Sequence, residues 1–290
     1  MQLRSIPQLR IDAPEELSAA RARLESFDTS RLQGVIRLVG LDNAGDPIRV
    51  VLAQEGSPAA QRVSASVAGY ARPDESLIVL FPTRSPRYPD DTLEDVLHHE
   101  VAHVLMARVA RGGGLPLWFH EGLAVLAERT WGLEDQARLM RELVLVSRTP
   151  LDRVDALFAG DDWSRARAYT LAAAFVRDVM RRHGADAPGY ILRRVGAGDT
   201  FERAFAVATG ESVAQAENTF WDGHRFWAAI GSFLTTQTAL WMIVTLIALV
   251  AIVRRRQQRV AQRQRWDEEG PADSEESMEE SEESGESRES

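Results

Sequence analysis

Residues 230–253 run for 24 positions without a single charged side chain, and this stretch constrains the chain more than any other. As a helix rising about 1.5 Å per residue, it exceeds the roughly 30 Å hydrocarbon core of a bilayer. Its second half, ALWMIVTLIALVAIV over 239–253, is apolar almost throughout. A single transmembrane helix in contact with membrane lipid is therefore expected here, in preference to a buried core helix. Six arginines and no acid follow within 254–265, the pattern of a cytoplasmic flank. The tail is thus expected in the cytoplasm and residues 1–229 on the outer side. Residues 1–14 hold no apolar stretch of about 7–15 residues, so the export signal that this topology needs is expected upstream of Met1.

The formal charge of −9 conceals this layout. Residues 267–290 carry twelve acids and one Arg, a local charge of −11, and 254–265 carry +6, which leaves −4 for 1–253. The Glu/Ser tail over 267–290 has nothing apolar to bury and is expected to be disordered. It reads equally as a solubilising tail or as a dock for a cytoplasmic protein partner. The mild acidity of the remainder argues against nucleic acid as a partner. The absence of cysteine excludes a disulfide scaffold, a thiolate nucleophile and an iron–sulfur cluster.

Within 1–229 the pattern is α+β. Short β-rich runs stand at 32–38, 48–52 and 77–81, separated by turn clusters such as DNAGDP at 42–47. Residues 15–26 read as helix. A mixed sheet with helices is thus expected over about 10–90, and a helical part over 91–229. Thr92 with Asp95 forms a capping-box pattern opening an amphipathic helix over roughly 93–110. Further helices are expected at about 117–130 and 165–183, and after a cap made by Ser212 and Gln215. The basic segment 254–266 would separate the spanning helix from the tail.

The capped helix contains His99-Glu100-Val101-Ala102-His103, an H-E-x-x-H sequence. At i and i+4 the two imidazoles lie on one helical face and can share one metal ion, with Glu100 beside them to hold a water. Chance predicts on the order of 0.01 such matches in a chain this size. Neutral imidazoles favour zinc, and a catalytic zinc takes three protein ligands and keeps one position open. Leu115–Ala124 reads LPLWFHEGLA. Glu121 is the expected third ligand, and His120 is its competitor, because adjacent helical positions point about 100° apart.

Together, His99–His103 and the segment Leu115-Pro116-x-Trp118-x-x-Glu121-Gly122-Leu123-Ala124 resemble the gluzincin "peptidase MA-like" zinc metallopeptidases. The likeness extends to 69–71 and 77–81, which resemble that family's edge strand beside the substrate cleft, and to the helices of 168–184 and 199–210. It covers roughly 10–225. The resemblance implies a zincin-like fold, zinc on His99, His103 and Glu121, Glu100 as general base, and a peptide or protein substrate. It also implies Tyr169 as a donor to the oxyanion, the alternative being a tyrosine that packs between helices.

His98 reads as a solvated or supporting neighbour, His183 as a charge at a helix C-terminus and His224 as juxtamembrane surface. Glu94 and Asp95, about a turn before His99, could orient an imidazole. No G-x-x-x-x-G-K loop and no G-x-S-x-G elbow is present. The expectation is a membrane-anchored zinc peptidase. Its rival is a catalytically weak zinc-fold sensor whose acidic tail recruits a cytoplasmic partner.

Overall fold

The computed structural model describes residues 5–234 apart from 85, 87, 88, 129, 130, 146 and 147. Beyond 234 it describes positions 241, 245, 247–249, 251, 252, 254 and 255. The fold is α+β. Its sheet has four strands, β1 (Leu9–Asp12), β2 (Ile48–Leu52), β3 (Gly69–Arg72) and β4 (Leu77–Leu80), in the order β1-β2-β4-β3. β2 alternates buried Ile48, Val50 and Leu52 with less covered residues, and β4 buries Ile78, Val79 and Leu80. β1, β2 and β4 are parallel, whereas β3 runs antiparallel along the free edge of β4, with Gly69 opposite Leu80. A β-carbon at Gly69 would lie 2.7 Å from side-chain atoms of Leu80 and of Val96. The glycine therefore lets the edge strand press against the helix that carries the H-E-x-x-H sequence.

The parallel step from β1 to β2 needs a crossover, supplied by α1 (Ser18–Glu25) and α2 (Leu32–Val39). Here the structure corrects the sequence reading, because 32–38 is helix and not strand. Leu32, Val35, Ile36 and Val39 are fully buried, and their i, i+3, i+4, i+7 spacing is the stripe of one helical face. Gly40, at φ 74°, ends the helix in the left-handed conformation that suits glycine. The β-branched content of the segment suggested a strand, but its period is helical.

The capping box at Thr92 and Asp95 opens α3 (Leu93–Ala110). The Thr92 amide donates to Asp95 Oδ2 at 3.1 Å, and the Asp95 amide donates to Thr92 Oγ1 at 3.2 Å. Fourteen of the 18 residues of α3 are buried, so the expected amphipathic helix is in fact a central one covered on nearly every side. The remaining helices are α4 (Leu117–Glu128), α5 (Leu133–Leu145), α6 (Leu151–Leu157), α7 (Asp162–His183), α8 (Ala187–Gly196), α9 (Phe201–Thr209) and α10 (Val213–Leu234). Trp118 is packed edge-on by Phe119, Phe175 and Phe201, which joins α4, α7 and α9 into one aromatic core. Ser212 and Gln215 cap α10 as expected.

The chain divides into two compact units, Met1–Ala229 and Ile230–Ser290. Among the described residues, no helix is long and apolar enough to cross a membrane. Half of the expected spanning helix at 230–253 and most of the basic segment at 254–266 lie outside the described residues, and the tail at 267–290 lies wholly outside them.

Candidate metal centre

Two helices bring the candidate metal ligands together. His99, Glu100 and His103 project from the middle of α3 and are 4–8% exposed. Glu121 comes from the second turn of α4. Its Oε2 lies 3.3 Å from His99 Nε2 and 3.6 Å from His103 Nε2, and one ligand atom from each of the three residues falls within 4.8 Å of the others. Ligands about 2.0–2.2 Å from a tetrahedral zinc stand roughly 3.3–3.6 Å apart. Both spacings from Glu121, and the donor set of two imidazoles and a carboxylate, fit that ion.

Burial pushes His103 down to about 4, which keeps its imidazole neutral and a lone pair available. Glu121 is held well below the ordinary carboxyl range. Its burial acts to raise it, but His103, His120 and His99 around the carboxylate outweigh that effect. Burial pushes Glu100 up to about 7; His99 and the Ala71 amide on β3 lower it, while Glu121 adds to the rise. His120 sits beside the cluster, its ring stacked on His103 with centroids 4.1 Å apart and its Nδ1 3.8 Å from Glu121 Oε1.

The site opens into a cleft of about 530 Å³. β3 and the loop before it form one wall, and the start of α7 with Phe158 forms the other. Tyr169 lines it, with its ring 6.0 Å from that of His99 and 5.1 Å from Phe158. Burial raises the Tyr169 hydroxyl well above its ordinary value, with Glu121, Asp90 and Glu100 adding to the effect. The phenol therefore stays protonated and can act as a donor.

Two readings of polar residues need correction. His98 is not solvated: it is 1% exposed, lies edge-on to Phe27, and is pushed down to about 4 by burial and by the charge of Arg31. Glu94 and Asp95 do not orient an imidazole. Glu94 pairs with Arg23, and Asp95 accepts from Arg31 at 3.0 Å, because the first turn of α3 faces α1 and the turn after it. His224 is partly buried, with Nδ1 2.6 Å from the Phe220 carbonyl. His183 does sit at the end of α7, 2.8 Å from Glu211.

Three residues that support the site escaped the sequence reading. Asp90 Oδ1 stands 3.7 Å from His99 Nδ1. Asp155, on α6, accepts from the amides of Leu117 and Trp118 at 3.3 and 2.6 Å and so caps α4 from a distance. Arg84, its side chain 7% exposed, donates to the Ser64 and Val67 carbonyls at 2.9 and 2.8 Å and fixes the loop that walls the cleft. None lies in a local motif. The capping-box pattern of α3 had a sequence signal, but the remote cap of α4 had none.

No family model matches the sequence. The chain is similar to a protein described as "Uncharacterized protein YhcO" from Bacillus subtilis (strain 168), with 25% identity over 171 residues, covering 53% of this chain and 50% of that one. It therefore spans about half the length of this curated relative.

Proposed function

We propose that this chain is a zinc-dependent peptidase of the gluzincin, peptidase MA-like type, held at a membrane by residues 230–253. The reading is carried by the convergence of His99, His103 and Glu121 within 4.8 Å, with Glu100 lining the same cleft. Zinc, when bound there, supplies Lewis acidity, bringing the pKa of a water to about 7 and polarising a substrate carbonyl. Glu100 takes the water's proton and returns it to the leaving amine. A buried carboxyl whose proton affinity is raised suits both halves of that shuttle. The Tyr169 hydroxyl donates to the oxygen on which charge develops. β3 offers the backbone groups of a sheet edge to an extended peptide. Membrane attachment is supported by the uncharged run and by Trp241, Ile247, Leu249 and Ile252, which are 53–64% exposed. The outer location of residues 1–229 rests on the arginines that follow.

The test is metal analysis of the purified full-length chain beside His103→Ala and Glu100→Gln. Wild type should hold close to one zinc, His103→Ala none, and Glu100→Gln one zinc but no chelator-sensitive peptide hydrolysis. Zinc-free wild type, or hydrolysis that survives Glu100→Gln, overturns the reading. Protease added outside right-side-out vesicles should digest the catalytic domain and leave the tail intact; the reverse pattern inverts the topology.

A further inference from the structure

Arg165 is the one permanent cation among the described residues that line the cleft, where Asp90, Glu100, Glu121 and Asp162 supply the negative charge. It leaves α7 four residues before Tyr169, about 6 Å along the helix axis, so the two side chains share one face and enter the cleft in succession. Its guanidinium reaches across the cleft: Nη1 donates to Ser66 Oγ on the opposite wall at 3.0 Å, and Nη2 donates to the Gly160 carbonyl at 3.1 Å. Its nearest acid, Asp162 at 3.6 Å, has a side chain that is 58% exposed, while the side chain of Arg165 is 27% exposed. The cation is thus partly desolvated, and its close partners are a neutral hydroxyl, a carbonyl and a solvent-facing carboxylate three residues away. A pair with so exposed an acid is weak and readily exchanged. A carboxylate arriving in the cleft replaces a bond from the cation to a neutral oxygen with one between opposite charges, and the planar fork can hold both of its oxygens.

We propose that Arg165 reads a carboxylate of the substrate, either an acidic side chain near the scissile bond or a free C-terminus. This rests on the peptidase reading of the same cleft. It makes the enzyme selective for peptides that are acidic at one register position. Arg165 acts as a specificity-determining residue and takes no part in proton transfer.

The experiment measures binding as well as turnover. Zinc-loaded full-length Glu100→Gln protein is titrated with dye-labelled octapeptides carrying Glu at each position in turn, each beside its Gln counterpart, with free and with amidated C-termini. One register of Glu, or the free C-terminus, should bind about tenfold to a hundredfold tighter than its neutral counterpart, the range of hydrogen bonds to charged groups. A preference that follows Glu along the peptide assigns a side chain, and one that vanishes on amidation assigns the terminus. Adding Arg165→Gln should bring the ratio close to one, and Arg165→Lys should lower it several-fold at an unchanged melting temperature. The Lys variant decides the matter if Gln loosens the fold. Equal binding of all pairs, absence of binding by any acidic peptide, or a ratio unchanged in both variants overturns the proposal. If wild type binds with the expected ratio but cleaves nothing, the peptidase reading fails and the carboxylate site stands.

Discussion

A β-carbon at Gly122 would stand 2.6 Å from the carbonyl carbon and oxygen of Ala172. α4 and α7 therefore touch backbone to backbone one residue after Glu121, and the glycine beside that carboxylate is a packing requirement. Gly122→Ala forces the two helices apart. Overpacking of this kind costs typically about 1–3 kcal/mol, and here the displaced helix carries Glu121. The variant should melt earlier than wild type and retain less zinc after dialysis, read by thermal unfolding and metal analysis. Unchanged zinc retention would show that Glu121 does not depend on this contact.

Glu121 contributes charge as well as geometry. Glu121→Gln preserves the side chain's shape but removes the anion that faces His99 at 3.3 Å and His103 at 3.6 Å. Loss of an outer partner of a metal ligand typically weakens metal binding by about 10–100-fold, so loss of the ligand itself should exceed that range. Competition against a chromophoric chelator measures it. An affinity within a fewfold of wild type would remove Glu121 from the ligand set and direct attention to His120.

Asp90 faces the ring nitrogen of His99 that points away from Glu121, at 3.7 Å. At that distance the carboxylate acts on the ring through its charge, which favours a proton on the facing nitrogen and raises the ring's basicity. Asp90→Ala should weaken zinc binding by about 10–100-fold, with the fold intact by circular dichroism. Asp90→Asn, which keeps the side chain's shape but not its charge, should recover little of the loss. Equal affinity in all three proteins would make Asp90 a wall residue only.

What could be read in advance was local. The i, i+4 spacing of His99 and His103 and the Thr92–Asp95 cap are properties of one helix, and both stand in the structure as their spacing requires. Glu121 was within reach because a short turn returns α4 to α3, although only the fold separates it from His120. Asp90, Arg84 and Asp155 were not legible, since each acts through a contact set by how loops and helices pack. α2 was misread for a different reason: Val35 and Ile36 favour strands by composition, whereas the burial of Leu32, Val35, Ile36 and Val39 follows helical periodicity.

The start of α3 should be acid-sensitive. Burial acts to raise the Asp95 carboxyl, but its hydrogen bonds with Thr92 and Arg31 outweigh that and hold it below its ordinary 3.8. A carboxyl lowered by folding stabilises fully above its unfolded value and loses that contribution as pH falls through the folded one. Wild type should therefore lose stability relative to Asp95→Asn as pH drops below about 4, and the gap should be constant at neutral pH. Thr92→Ala, which removes the other half of the cap, should cost about 1 kcal/mol at pH 7. Urea unfolding at a series of pH values tests both; parallel curves down to pH 2 would mean that the cap does not titrate with the fold.

Asp155 holds α4 by its end. Its two oxygens accept from the Leu117 and Trp118 amides at 3.3 and 2.6 Å, where the helix dipole favours a negative charge. Asp155→Ala leaves those amides without their acceptor, and loss of an N-terminal cap costs about 0.5–2 kcal/mol. Asp155→Asn retains an acceptor but no charge and should fall between the two. Since Glu121 lies one turn beyond Trp118, frayed amides there should also loosen the carboxylate's hold on zinc. Added zinc stabilises only the folded state, by an amount set by its affinity. The gap between wild type and Asp155→Ala should therefore widen when unfolding is repeated with a fixed excess of zinc. A gap equal with and without the metal would confine Asp155 to the stability of α4 and separate its cap from the metal centre.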